Sequence, residues 1–181
     1  MRVISGKYRG RRLLSPADSR VRPTTDRIKE TMFNILASRG GLYGAVLDLF
    51  SGSGALGIEA LSRGAASAVF IDKDPDSIRL TKKNLAVCGI AGAEVYNTDY
   101  RVACEKLTGR TFDFIFADPP YALRIEPLIL DCIGRCGLLA ENGTIIIEHD
   151  SKNDLLKSAE SYIIDTRVCG NTTLSFLRRE V

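Results

Sequence analysis

The chain has 181 residues, 45% of them hydrophobic and 26% charged, with a net charge of +3. This composition excludes a disordered tail, a collagen-like repeat and a disulfide-stapled miniprotein, and no apolar run resembles a signal peptide or reaches the ~18 residues of a membrane span. The five cysteines (Cys88, Cys104, Cys132, Cys136, Cys169) follow no CxxC spacing and His149 is the single histidine, so the expectation is a reduced, cytoplasmic protein with no metal and no membrane partner.

The charge is segregated along the chain. Residues 1–40 hold ten Lys or Arg against three Asp or Glu, whereas residues 41–181 hold fifteen against nineteen. Arg2, Lys7, Arg9, Arg11, Arg12, Arg20 and Arg22 crowd the start, with Gly6, Tyr8 and Gly10 among them. That mixture suits a small hairpin showing cations to a polyphosphate, and the alternative is a solvated basic arm with no partner. Residues 1–23 are therefore read as a basic N-terminal arm, and 24–181 as the main domain. From Thr24 or Thr25 onward, Ile28, Met32, Ile35 and Leu36 mark one face of a helix behind a hydroxyl cap.

Short apolar runs then alternate with helical patterns. Strands are predicted at 45–50, 67–72, 93–97, 112–117 and 143–149, and helices at 55–63, 75–88, 100–107 and 123–136. A short helix near 152–159 precedes two runs, 161–168 and 171–179, that read as an antiparallel pair. The alternation predicts an α/β fold, Rossmann-like, with a mostly parallel sheet covered on both faces.

In such sheets ligands sit at the carboxyl ends of the strands. After the first strand, "DLFSGSGALGIEAL" places Gly52, Gly54 and Gly57 in a G-x-G-x-x-G turn leading into a helix. Asp72 closes the second strand about 20 residues on, where a carboxylate can accept both hydroxyls of a ribose. The loop and Asp72 together imply a nucleoside cofactor. Asp48, Asp99 and Asp118 add more acids to the strand ends, a poor setting for a pyrophosphate and a good one for an ammonium and a sulfonium. S-adenosylmethionine fits, with Asp48 near its amino-acid end, Asp72 on the ribose and Asp99 on the adenine amine. Asp99 in "NTDY" equally fits a helix cap.

The fourth strand leaves through "ADPPY". Two prolines stiffen the exit and restrict Asp118, which fits either a sheet-stopping turn or a bracket aiming Asp118 and Tyr121 at a ligand. "VLDLFSGSGALGIEAL", "FIDKDP" and "FIFADPPY" resemble motifs of the seven-stranded S-adenosylmethionine-dependent methyltransferases, and "RVISGKYRGRRL" with "RPTTDRIKETMFNIL" is similar to the RsmD-type family. The resemblance implies a seven-stranded sheet with an antiparallel last strand. It also implies methyl transfer to N2 of a guanine in 16S ribosomal RNA, free or within the small ribosomal subunit or an assembly intermediate. It assigns cofactor roles to Asp48, Gly52, Gly54, Asp72 and Asp99, and catalysis to Asp118, Pro119, Pro120 and Tyr121. RNA binding is expected of Arg2, Lys7, Arg9, Arg11, Arg12 and Arg22. In this chemistry the Asp118 carboxylate and the Pro119 carbonyl grip the two amine N–H groups, and Tyr121 stacks on an extruded base. Alternative readings are methylation of DNA adenine N6 or of a protein glutamine, a dinucleotide-dependent oxidoreductase, and a non-catalytic RNA-binding ribosome-assembly module.

Overall fold

The computed structural model describes residues 1–16, 26–152 and 162–178. Arg20, Arg22, the cap expected at Thr24 or Thr25 and all but the first residue of the helix expected near 152–159 lie outside the described residues. Strands β1 (Ala45–Asp48), β2 (Ser67–Asp72), β3 (Glu94–Asn97), β4 (Phe112–Ala117), β5 (Leu139–Asp150), β6 (Ile163–Cys169) and β7 (Thr172–Leu177) make one sheet in the order β3-β2-β1-β4-β5-β7-β6. β1 to β5 pair in parallel, and β7 lies antiparallel between β5 and β6. This is the α/β sheet with an antiparallel last strand that the family resemblance implies. Among the described residues no helix is long and apolar enough to cross a membrane.

Period-two alternation explains how the sheet is covered on both sides. Val46, Ala68, Phe70, Phe114, Phe116 and Ile146 point into one core, shared with helices α1 (Asp26–Ser38), α2 (Ala55–Ser62) and α3 (Pro75–Cys88). Their neighbours Leu47, Val69, Ile71, Ile115, Ile145 and Ile147 point into the other, shared with α4 (Tyr100–Lys106) and α5 (Glu126–Arg135). Strands buried on both faces read as unbroken apolar runs, which is why their positions were legible.

Two boundaries differ from the sequence reading. The helix predicted at 123–136 is split into a 3-10 turn at Tyr121–Leu123 and α5, because Arg124 takes a left-handed φ of 50° and Pro127 sits in the first turn of the second piece. β5 is longer than predicted: Phe112 pairs with Leu139 and Phe114 with Thr144, so an irregularity carries residues 140–143 past the ladder. Its "AENG" reads locally as a turn.

The basic arm is a hairpin, bridged at Arg2 and Arg12, and it is docked. Val3 and Leu13 are buried in the core of α1 and α2. Glu59 of α2, fully buried, accepts the N–H groups of Ile4 and Ser5 at 2.8 and 3.0 Å and the Arg63 Nε at 2.7 Å. Lys29 of α1, also fully buried, donates to the Arg2 carbonyl and lies 3.5 Å from Glu59. Paired in this way, both charges tolerate burial.

Candidate active site

The carboxyl ends of β1 and β4 meet where the strand order reverses, the crevice in which open α/β sheets bind ligands. A cavity of about 690 Å³ opens there, a volume suited to a nucleoside-sized ligand. It is lined by the loop 49–53, by Asp72, by Asp99 to Arg101, by Asp118 to Leu123 and by Glu148. Segments far apart in the chain are brought together because five parallel strands end on one edge.

The glycine loop is shaped by backbone geometry. Gly52 and Gly54 have φ values of 53° and 78°, a region L side chains rarely adopt, and a Cβ on Gly52 would meet only open space. Gly57 serves packing, since its Cβ would lie 2.3 Å from the Phe70 ring. Asp72 ties the loop to β2: its carboxylate accepts the Gly52 N–H at 2.8 Å and the Asp74 N–H at 2.9 Å. A carboxylate has about four lone-pair sites, so capacity for ribose hydroxyls remains. Burial raises the Asp72 pKa, against the pull of those two amides.

Asp48 is placed differently from Asp72. It lies behind the loop, fully buried, accepting the Gly57 N–H at 3.2 Å, and is not part of the cavity wall. Burial pushes its pKa up to about 7, with the neighbouring Asp72 adding to the rise and loop amides opposing it. Its carboxylate is held by the backbone amides of Phe50 in the loop and Gly57 in α2. Asp99 is on the wall and is also the N-cap of α4, accepting the Arg101 N–H at 3.0 Å and its Nε at 2.9 Å. The Arg101 side chain holds its pKa below the usual carboxylate range.

At the end of β4, Asp118, Pro119, Pro120 and Tyr121 all face the cavity. The Tyr121 hydroxyl donates to Glu148 Oε1 at 2.9 Å and lies 2.9 Å from Thr172 Oγ1. Burial raises the Tyr121 pKa. The ring is thereby fixed by residues of β5 and β7.

The family model described as Conserved hypothetical protein 95 matches residues 1–178. Ribosomal RNA small subunit methyltransferase D of Escherichia coli (strain K12) is 34% identical over 181 residues, 99% of this chain and 90% of the relative. YlbH of Bacillus subtilis (strain 168) is 42% identical over 161 residues, 86% of this chain and 85% of that protein. The solved structure of yhhF from Escherichia coli aligns with a TM-score of 0.86 at 34% identity, covering 99% of this chain and 98% of that one. The chain belongs to the RsmD-type methyltransferase family.

The cavity of this RsmD-type chain suits S-adenosylmethionine. The loop lets a ligand reach the backbone at Gly52, Asp72 offers acceptors to a ribose, and the acidic strand ends favour a cation. The RsmD-type cavity also has walls that sequence patterns did not mark. Phe50 and Tyr100 pack as a tilted pair with ring centroids 5.5 Å apart beside Asp99, and Met1 and Pro16 also line the cavity. Glu148 follows an apolar run as Asp118 does, yet in "TIIIEHD" it has no proline or tyrosine after it. Arg2, Lys7, Arg9, Arg11 and Arg12 are all exposed on the hairpin.

Proposed function

We propose that the chain methylates the exocyclic N2 of a guanine in 16S ribosomal RNA, acting on the RNA or on a small-subunit particle. The observation that carries this reading is the rigid Asp118-Pro119-Pro120-Tyr121 exit of β4, lining the same cavity as the glycine loop and Asp72. Bound S-adenosylmethionine supplies a methyl group activated by its sulfonium. The residues of the chain do the rest. Gly52, Gly54 and Asp72 orient the nucleoside end, Asp48 holds the loop from behind, and Asp99 faces the base end beside Phe50 and Tyr100.

The N2 lone pair of guanine is delocalised into the ring, so the amine must be turned and pyramidalised before it attacks. The Asp118 carboxylate and the Pro119 carbonyl accept its two N–H groups and stabilise the positive charge that develops on nitrogen. Asp118 then takes a proton. Tyr121, its hydroxyl fixed by Glu148 and Thr172, presents a ring on which the extruded base stacks. The exposed cations of the hairpin, whose Met1 and Pro16 line the cavity, hold the flanking phosphates. Residues 1–23 thus act as the RNA-binding arm and 24–181 as the methyl-transfer domain.

Radiolabelled methyl transfer to protein-free 16S RNA, assembled 30S particles and naked DNA tests this directly. Nucleoside digestion should give N2-methylguanosine from an RNA substrate. Label in adenine, in protein or in DNA alone would refute it.

A further inference from the structure

Asp118 directly follows β4, and Glu148 lies beside it, two residues before the end of β5. Ala117 of β4 is the register partner of Ile147 of β5, so the two acids are the next residues on parallel strands about 5 Å apart, and both line the cavity. The side chains that line the cavity at this corner offer acceptors, and the Thr172 hydroxyl beside them is engaged by Tyr121. Pro119 and Pro120 have no N–H, Asp118 and Glu148 are carboxylates, and the Tyr121 proton is already donated to Glu148 Oε1. Tyr121 takes one of the roughly four lone-pair sites of the Glu148 carboxylate.

An acceptor-only corner discriminates among amine substrates. The N2 edge of guanine carries three donors in a row, the two N2 hydrogens and N1–H. Adenine sets the N1 lone pair beside its amine, and a glutamine side chain sets a carbonyl oxygen there. Either would face a carboxylate with a lone pair. Resting on the guanine N2 reading above, we propose that Glu148 is the specificity residue, accepting guanine N1–H while Asp118 and Pro119 hold the N2 amine.

The test uses 16S RNA segments carrying guanine or 2-aminopurine at the methylated position, mapped first by mass spectrometry. 2-Aminopurine keeps the amine but has a bare N1 lone pair in place of N1–H. The unmodified enzyme should prefer guanine by about 10- to 100-fold in kcat/KM, the scale of one mismatched base pairing. In Glu148→Gln the amide oxygen still accepts the Tyr121 hydroxyl, and the other oxygen becomes an N–H donor. This variant should lose at least about tenfold on guanine and narrow its preference over 2-aminopurine by a similar factor, with cofactor affinity unchanged. Full guanine activity in Glu148→Gln would overturn the proposal and leave Glu148 as an anchor for Tyr121. Equal methylation of the two bases by the unmodified enzyme would overturn it without any variant, even if Glu148→Gln failed to fold. No guanine methylation by the unmodified enzyme would remove the guanine reading itself, and this inference with it.

Discussion

At the scale of single residues, the proposed catalytic corner depends on where acceptors are fixed. Asp118→Ala should lower single-turnover methyl transfer by about 10² or more, with cofactor affinity and thermal stability little changed. Asp118→Asn, which keeps an oxygen to accept one N–H, should fall less; equal loss in both variants would make charge or proton acceptance the larger effect. The anchored hydroxyl makes Tyr121→Phe more than a conservative swap: losing its bonds to Glu148 and Thr172 should cost about 2- to 10-fold in activity, and Tyr121→Ala more. Wild-type rates for Tyr121→Phe would show that the ring is held by packing alone. Asp48 adds a pH dependence. Its pKa is about 7 in the folded chain against 3.8 when solvated, so its contribution to stability is fully present below about 4 and is lost as pH rises to about 7. Asp48→Asn removes this, so urea denaturation should find the variant gaining on the unmodified chain by on the order of 2–4 kcal/mol between pH 4 and 8. A pH-independent difference would mean that Asp48 stays ionised throughout.

At the scale of elements, each piece around the site is braced from behind. The α2 helix lies so close to β2 that Gly57→Ala would drive a Cβ into Phe70 at 2.3 Å. The variant should lose about 1–3 kcal/mol, measured by denaturant unfolding, and bind cofactor more weakly because the Asp48-to-Gly57 bond moves with the helix. The hairpin is braced by Glu59. Glu59→Ala strips the acceptor from Ile4, Ser5 and Arg63 and leaves the buried Lys29 with the Arg2 carbonyl and the more distant Asp26, which should destabilise the chain by about 3–5 kcal/mol. Limited trypsin digestion should then cut within residues 2–12 before it cuts the body; uniform cleavage would mean that Val3, Leu13 and the bonds to Ser62 and Asn84 hold the hairpin without Glu59.

At the scale of the whole molecule, the proposed function divides the labour of binding between a basic start and an acidic remainder. The hairpin carries exposed cations and reaches the cavity through Met1, and the cavity wall carries more acids than bases, so under the proposed function phosphates would be held by the hairpin and a cationic cofactor inside. Replacing Arg9, Arg11 and Arg12 together with Ala should weaken RNA binding and reduce the slope of log affinity against log salt by about 0.7 to 0.9 for each phosphate no longer neutralised. Cofactor affinity should not change. An unaltered salt slope would identify the hairpin as a solvated face.

The central strands were legible in the sequence because strands buried on both sides are unbroken apolar runs, and Asp48, Asp72 and Asp118 because each breaks or closes such a run. Glycines with positive φ marked the loop for the same local reason. Three things were settled only by the tertiary structure. Asp48 and Asp72 are both strand-end aspartates in the sequence, and only the fold sets one behind the loop and the other on the cavity wall. Lys29 and Glu59 sit at ordinary helical positions, and only the docking of the hairpin makes them a buried pair. Glu148 became a partner of Tyr121 because β5 lies beside β4 and β7 folds back along it, so residues 27 apart share a hydrogen bond. Local physics writes turns, caps and apolar periods into neighbouring residues, whereas a site assembled from five strand ends exists only once the sheet has chosen its order.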